Sequence, residues 1–436
     1  MAKKNIIYGI NDKPPTPIMI LAGLQHVLTL FGATTLVPLI FGPAMGMNPA
    51  QIAFFISCVY FAMGVATLIQ THPKLGSGLP IVQGSSFSFI PSIMTIIGAY
   101  KGLGPNVIMQ YVGGALISGG LILSGIGYSR LVGYIRKVIT PVVIGPTIMA
   151  IGFSLASTAI QYNAANYWPV SLIVVACVFI FSLISRNRFM NIFAILASIV
   201  IAYIVCLFGS LSGLFPVGHA AHVNLAEVAN APWFRFNIFM PWGPPKFSFL
   251  AFGAIILDDP DADTISRGIG AEGLNCALAG LFGAVGTTSY TENIGLIGLT
   301  GVASRWVVRT GAVLLILMSM IGKLGALIAT VPSPVIGGAY IALFGIIGAL
   351  GIQVLMRADM GSQRNVLIVG FAFLMALGLP GWTEGQREAF FAFGIPGQMA
   401  WAILKTPMAV AGICAAFWDS LVPGTPEERG IGTKLK

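Results

Sequence analysis

The stretch LPIVQGSSFSFIP at residues 79–91 decides the fold, because it interrupts an apolar segment of membrane length with a glycine, hydroxyl side chains and prolines. A second stretch, GTTSYTENIG at residues 286–295, has the same character in the second half of the chain. Both are predicted to be extended backbone that leads into a short helix. Irregular backbone at membrane depth is tolerated only where it lines a cavity, and the N–H groups of a helix N-terminus then face a ligand. The two interruptions therefore predict a binding site to which both halves of the chain contribute.

The composition of the rest of the chain is that of a membrane protein. Of the 436 residues, 56% are hydrophobic and 8% are charged, with a net charge of +9, and the mean hydropathy is +0.88. A soluble domain carries about 25% charged residues, so soluble enzymes and nucleic-acid-binding proteins are excluded in spite of the basic balance. The five cysteines are single and the four histidines lack metal-ligand spacing. We therefore expect neither disulfides nor a bound metal.

The apolar segments divide into two sets of seven, since one membrane span needs about 20 apolar residues. The first repeat is predicted at 1–213 (segments 1–7) and the second at 247–421 (segments 8–14). A polar connection at 214–246 separates them, and a tail at 422–436 follows. The predicted fold class is an all-α polytopic membrane protein of two inverted seven-segment repeats, with short extended stretches in segments 3 and 10.

The distribution of Lys and Arg predicts the orientation, because basic residues near the ends of spans are retained on the cytoplasmic side. With a cytoplasmic N-terminus, the connections of the first half that face the cytoplasm carry its basic residues apart from Lys101, which falls on the outer side before the central connection. In the second half Arg267, Arg305, Arg309, Arg357, Arg364 and the basic residues of the tail also fall inside if 247–257 counts as one crossing. Seven is an odd number, so the two halves begin in opposite orientations, as in transporters that bind substrate between inverted repeats. We expect a multi-pass protein of the cytoplasmic (inner) membrane with both termini inside and the connection 214–246 outside.

Segment 8, at residues 247–257, is shorter than a crossing requires. Its apolar length is about half of a span, and near 254–258 it runs into four aspartates, at Asp258, Asp259, Asp261 and Asp263. Aspartates clustered around a proline predict a solvated turn. Either about 20 residues are absent from this sequence or the chain carries an internal deletion.

Glu292 is the conspicuous ionisable residue inside a predicted span. Such a group is costly in a bilayer and marks a substrate or proton path. Its carboxylate can accept hydrogen bonds from the ring N–H groups of a planar molecule, or it can carry a coupling proton. The neighbouring Asn293 can hold the carboxylate or cap the following helix.

The alternative interpretation of the stretches 79–91 and 286–295 is that they are two irregular loops at the membrane surface. The Glu292 carboxylate counts against this interpretation.

The first span carries Gln25 and His26 in its middle. A buried histidine of this kind either ties one helix to another by a hydrogen bond or takes part in proton coupling, and the sequence leaves both open.

Three motifs in this order resemble those of the nucleobase-ascorbate transporter family, also called nucleobase:cation symporters. They are the Gln25-His26 pair, GSSFSF at 84–89, and ENIG at 292–295 running on to Thr300 and Gly301. The pattern is most similar to the bacterial uracil permeases of that family. The resemblance covers nearly the whole chain and implies a core that holds substrate and a gate against which the core moves.

The resemblance also implies roles for individual residues. The residues implied to contact substrate are Glu292, Phe87 through its backbone, Ser86, Tyr290 and Thr291. The residues implied to support proton coupling are His26, Gln25 and Asn293.

The predicted function is that of a secondary active transporter that imports a nucleobase by proton symport, with uracil as the favoured substrate. We expect no enzyme activity, no cofactor and no metal, with the proton as coupling ion and Na⁺ left open. The expected partners are the nucleobase and the lipid bilayer, without nucleic acid, and a homodimer is left open. Gly301 stands where uracil permeases tend to have Arg, so xanthine or another purine is an alternative substrate. The family's second carboxylate, in its eighth span, has no counterpart here, so a transport-deficient, receptor-like protein is a further alternative.

Overall fold

The computed structural model describes residues 6–129, 139–160, 164–185, 187–236, 239–251, 266–290, 293, 296–297 and 300–431. The helices of the first half are α1 (Thr16–Ala44), α2 (Pro49–Gln70), α3 (Phe89–Ala99), α4 (Pro105–Tyr128), α5 (Pro141–Ser154), α6 (Ala156–Ile160), α7 (Trp168–Phe179), α8 (Arg188–Ile192) and α9 (Ala194–Leu211). Those of the second half are α10 (Ala226–Asn230), α11 (Ser266–Leu281), α12 (Arg305–Ser319), α13 (Gly322–Ala329), α14 (Ser333–Leu355), α15 (Gln363–Gly385), α16 (Arg387–Ala392), α17 (Gly394–Leu404) and α18 (Pro407–Leu421). The strands are β1 (Gln83–Ser85) and β2 (Thr287–Ser289).

Many of these helices begin at a proline, because the first helical N–H has no intrahelical partner and the fixed φ of proline suits a helix. The helices α2, α4, α5 and α18 start in this way at Pro49, Pro105, Pro141 and Pro407. At the start of α2, Asn48 and Gln51 also form a reciprocal capping box.

Glycine allows the helices α4 and α11 to approach closely. Gly113, Gly120 and Gly127 recur every seven residues on α4, so they lie on one face. A Cβ added to Gly120 would lie 2.5 Å from the backbone oxygen of Gly273, and one added to Gly127 would lie 2.2 Å from the nitrogen of Gly270. Small residues at such interfaces let transmembrane helices pack backbone to backbone.

The described helices form two packed groups. One group contains α1, α2, α4, α11, α12 and α13 together with both strands, and the other contains α5, α7, α9, α14, α15 and α18. Helix α1 contacts α9 and α14 of the second group. Buried apolar side chains continue from one group into the other, for example Val27 and Phe55 in the first and Val174 and Tyr340 in the second. This division matches the core and gate that the resemblance implies.

The prediction of an all-α polytopic membrane protein with short strands in segments 3 and 10 is confirmed. Among the described residues, seven helices are long and apolar enough to cross a bilayer, and the bent pair α17–α18 makes eight. The last apolar segment of the sequence, at 389–421, is predicted as one long segment. The structure breaks it between Leu404 and Pro407, where the chain bends by 92°. Proline at 407 explains the break, since it cannot donate the hydrogen bond that would continue the helix.

Segment 8 is described only at its beginning. The chain turns helical at Phe249–Ala251. The predicted shortening near 254–258 lies outside the described residues.

Candidate functional site

The centre of the candidate site is the antiparallel pair of β1 and β2, which joins segment 3 to segment 10. Gln83 pairs with Ser289, Gly84 with Thr288, and Ser85 with Thr287. Beyond the strands, the Ser86 N–H donates to the Gly286 oxygen at 2.9 Å and the Tyr290 N–H donates to the Val82 oxygen at 3.0 Å. In an inverted repeat, one half is turned over relative to the other. Corresponding segments therefore run in opposite directions, as these two strands do.

Gly84 has no room for a side chain because the ring of Tyr290 lies on it. A Cβ at Gly84 would lie 2.1 Å from Tyr290 Cε2. The Tyr290 hydroxyl donates to the Ser85 oxygen at 3.1 Å, and Tyr290 is 4% exposed. Tyr290 therefore spans the strand pair and holds β1 in place. Its predicted contact with substrate stays a prediction.

Helix α1 is tied to β1 through a carbonyl that a proline leaves free. Pro38 has no N–H, so the Thr34 oxygen one turn earlier lacks its helical donor. The Ser85 hydroxyl donates to this oxygen at 3.1 Å. One turn of α1 is also contacted from the second helix group, where the Tyr340 hydroxyl of α14 donates to the Leu36 oxygen at 2.7 Å. The part of α1 around Pro38 is thus a junction between the strands and both helix groups.

His26 and Asn293 meet in the interior, as expected if the histidine ties one helix to another. The Asn293 side-chain amide lies 3.0 Å from His26 Nδ1 and donates to the His26 backbone oxygen at 3.0 Å. The two residues are 3% and 1% exposed. With Nδ1 accepting, a neutral His26 carries its proton on Nε2. Gln25 is half-buried beside them, and its backbone oxygen accepts from the Thr29 hydroxyl at 2.8 Å.

The other predicted contact residues are placed in part. Ser86 is buried and Phe87 is half-buried, and both lie between β1 and the first turn of α3, with the Ile90 N–H donating to the Phe87 oxygen at 3.0 Å. Thr291 and Glu292 lie outside the described residues. The structure therefore brings Ser86, Phe87 and Tyr290 to the strand pair.

Glu272 is a functional candidate that sequence reasoning missed. It lies on α11, is 8% exposed, and its Oε1 accepts from the Ser289 N–H of β2 at 3.1 Å. The signal was present, because Glu272 falls inside the predicted segment 9 at 268–285 just as Glu292 falls inside segment 10. The view of Glu292 as the conspicuous charge within the spans was therefore too narrow, and Asp419, 2% exposed on α18, is another buried carboxylate.

Several buried polar atoms near the strands have no hydrogen-bond partner within the described part of the chain. They are Thr34 Oγ1, Gln83 Oε1 and Asn293 Oδ1. Leaving such an atom unsatisfied costs about 1–3 kcal/mol, so a polar ligand or water that completes these bonds would bind favourably. Among the described residues no group of three or more His, Cys, Asp or Glu side chains is arranged to hold a metal.

The sequence matches the profile of a permease family over residues 17–258 and 253–385. Solute carrier family 23 member 2 of Rattus norvegicus is 32% identical over 500 aligned positions, which cover 98% of this chain and 76% of that protein. Nucleobase-ascorbate transporter 12 of Arabidopsis thaliana is 28% identical over 505 positions, covering 97% and 71%. Both alignments are longer than the 436 residues of this chain, so the relatives carry residues with no counterpart here. The two profile matches meet at 253–258, within the short segment 8.

Solved structures show the same fold at low sequence identity. The transmembrane domain of the cyanobacterial bicarbonate transporter BicA superimposes with a TM-score of 0.53 at 14% identity, covering 94% of this chain and 99% of that one. The structure of SLC26A9 gives a TM-score of 0.54 at 10% identity, covering 94% and 66%.

Proposed function

Because this chain belongs to the nucleobase-ascorbate transporter family, we propose that it imports a nucleobase by proton symport, with uracil as the first candidate. The chain is a multi-pass membrane protein of a transporter family and not an enzyme. The proposed location is the cytoplasmic membrane, with both termini inside.

The observation that carries the proposal is the buried strand pair with its unsatisfied polar atoms. Pairing of β1 with β2 holds Ser86 and Phe87, which precede α3, close to Tyr290, which follows β2. A nucleobase presents ring N–H donors and carbonyl acceptors in one plane. Such a molecule suits a site that offers backbone groups after one strand and, in the sequence that follows the other strand, a carboxylate.

Glu292 is the proposed base-binding and proton-linked group. In its ionised form the carboxylate accepts hydrogen bonds from the ring N–H groups of uracil. In its protonated form the carboxyl group is neutral. A proton that neutralises the site shifts the balance between inward-facing and outward-facing states, so that the proton gradient drives substrate uptake. His26 and Asn293 support this network through their mutual hydrogen bonds.

Uptake by proteoliposomes tests the proposal. Purified protein should accumulate labelled uracil when an inward proton gradient is imposed, and a protonophore should abolish accumulation. Uptake that persists under the protonophore would refute proton coupling and leave Na⁺ coupling or facilitated diffusion. Xanthine offered in the same assay separates the purine alternative, since it would then be accumulated in place of uracil.

Gly301, which departs from the uracil permease pattern, has a conformational explanation. Its φ of 70° is strained for any residue with a side chain. Its backbone oxygen accepts from the Ile7 N–H at 2.8 Å, and its own N–H donates to the Ile297 oxygen at 2.9 Å. The glycine therefore serves chain geometry, and its presence does not by itself favour a purine.

The receptor-like alternative is favoured by one observation, the meeting of the two profile matches at 253–258. If the crossing of segment 8 is truly missing, the protein would bind a nucleobase without carrying it. Saturable binding in detergent together with no uptake in proteoliposomes would establish this alternative.

A further inference from the structure

Four hydrogen bonds close a ring between α2, α11, β2 and β1. The Asn275 amide of α11 donates to the Ala66 oxygen of α2 at 3.2 Å. The Ser289 N–H donates to Glu272 Oε1, also on α11, at 3.1 Å.

The strand β1 completes the ring. The Gln83 amide donates to the Ser289 hydroxyl at 2.9 Å, and the Gln83 backbone N–H donates to the Thr67 hydroxyl of α2 at 2.9 Å. Thr67 is the neighbour of Ala66, so the path returns to the residue pair from which it started.

The side chains around this ring leave four buried atoms without a partner in the described part of the chain. They are Gln70 Nε2, Gln70 Oε1, Gln83 Oε1 and Asn275 Oδ1. Gln70 follows Ala66 by four residues on α2, so both lie on the same face of that helix. Gln70 and Gln83 are fully buried and Asn275 is 1% exposed. Four of the seven unpartnered side-chain atoms found in the described residues thus belong to residues of this ring or to the next turn of α2 on the same face.

The mixture of donor and acceptors identifies the ligand class. Buried polar groups that lack protein partners are commonly bonded to ordered water, which needs two to four polar neighbours. Water both donates and accepts, so it satisfies the Gln70 amide nitrogen as well as the three oxygens. A metal cation would bind the oxygens and leave that nitrogen unpaired.

We propose that the space enclosed by this ring, between α2, α11 and β1, holds ordered water that carries the coupling proton between Glu272 and the end of α2. The proton part rests on the proposed proton symport, and the water part does not. A proton that binds the Glu272 carboxylate from one side leaves to the water on the other. Only O–H bonds form and break, and no co-reactant is needed.

The end of α2 provides a route to the surface that the predicted topology places in the cytoplasm. Helix α2 ends at Gln70, and the Arg309 guanidinium of α12 donates to the Thr71 oxygen at 3.1 Å. Charged and titratable groups from the elements packed around this end are Arg309, Arg267, His72, Lys74 and, from α4, Tyr128. Glu272 is the carboxylate that lines the ring itself, so it is the group at which a proton is held.

The variant Gln70→Met tests the proposal sharply, because it preserves side-chain length and removes two atoms that have no hydrogen-bond partner among the described residues. If the space is dry, the variant should be neutral or more stable. If water there conducts the proton, proton-driven uracil uptake should fall severalfold. Uracil binding and uracil counterflow, which need no net proton movement, should stay unchanged. The matched control is Gln110→Met on α4, which removes a glutamine amide that donates to the Trp242 backbone oxygen. This variant should leave proton-driven uptake unaffected.

Each outcome decides one part of the proposal. If Gln70→Met takes up uracil at the same rate and with the same pH dependence as the parent protein, the proton route is overturned. A parent protein without proton-driven uptake refutes the proposed symport instead, and the proton route falls with it. A high-resolution density map of the parent protein tests separately whether ordered water is present, and this test holds even if the variant fails to fold. Density for water bonded to Gln70 and Asn275 supports the hydrated space, and side chains packed there without water overturn it.

Discussion

The strand pair and the end of the second helix group at Asp419 are both buried and polar, but among the described residues only the Asp419 side chain has all its hydrogen bonds made. There, the Asp419 side chain is completely buried between two arginines. Arg364 donates to Oδ1 at 2.9 Å, Arg429 donates to Oδ2 at 2.7 Å, and the Thr140 hydroxyl donates to Oδ2 at 3.0 Å. At the strands, by contrast, Gln83 Oε1 has no partner within the described residues.

The difference separates structure from function. A buried carboxylate with every bond made fixes the tail and the ends of α5, α15 and α18 in one arrangement. Polar atoms that are buried but unpaired are costly unless a ligand, a proton or water completes them. The Asp419 cluster is therefore expected to govern stability, and the strand pair is expected to govern binding and coupling.

The largest effect is expected at Asp419. Asp419→Ala leaves the partly buried Arg364 and Arg429 without their anion, and breaking a buried ion pair costs about 3–5 kcal/mol. The thermal midpoint of the purified protein in detergent should fall markedly. Arg429→Ala removes the more exposed partner, 21% exposed against 9% for Arg364, and should cost less. An unchanged midpoint in Asp419→Ala would contradict the structural role of the cluster.

A smaller but substantial effect is expected at Gly84. In Gly84→Ala the new methyl would collide with the Tyr290 ring, and overpacking of this kind costs about 1–3 kcal/mol. Nucleobase binding should be lost because the strands must separate. Gly345→Ala on α14, where a Cβ meets nothing within 4 Å, is the matched control. Equal binding by the two variants would show that the strand pair does not form the site.

Tyr290→Phe is expected to have a moderate effect, since it keeps the ring on Gly84 and removes the hydrogen bond to the Ser85 oxygen. One such bond contributes about 0.5–1.5 kcal/mol. Binding should weaken severalfold while the thermal midpoint changes little, and isothermal titration with scanning calorimetry measures both. A loss as large as that of Gly84→Ala would mean that the hydroxyl contacts the substrate directly.

The smallest effect is a pH dependence of the tail. The Ser362 hydroxyl donates to the Glu428 carboxylate and lowers its pKa from the ordinary value. A depressed carboxyl pKa adds stability that is present above the unfolded pKa and lost as pH falls through the folded pKa. Limited proteolysis near residues 425–431 should therefore accelerate in acid, below the ordinary glutamate pKa. Glu428→Gln should be cleaved at a rate that no longer changes over this range, and an unchanged acid profile in that variant would contradict the assignment.

The sequence predicts the strand pair better than it predicts the Asp419 cluster. Glycine, hydroxyl residues and prolines at 79–91 and 286–295 indicate broken helices, and the structure has β1 and β2 there. Local pattern cannot show that Thr140 meets Asp419, because the two residues are 279 positions apart and come together only through packing.

Glu272 shows a second reason for incomplete prediction. A carboxylate near the start of an apolar segment can lie at the membrane surface or inside the protein, and length alone does not separate the two. Its burial follows from the close approach of α11 to α2 and α4, which depends on glycines in both α4 and α11. For His26 the sequence leaves open a tie between helices or a role in proton coupling, and it does not name a partner. The structure shows a direct hydrogen bond between the side chains of His26 and Asn293.

Uracil binding to purified protein, measured by isothermal titration calorimetry in the parent and in Glu292→Ala, tests the central claim most directly. We expect saturable uracil binding by the parent protein and none by Glu292→Ala, with the same thermal midpoint for both proteins. Unaltered uracil binding by Glu292→Ala would contradict the claim that the stretch after β2 holds the substrate.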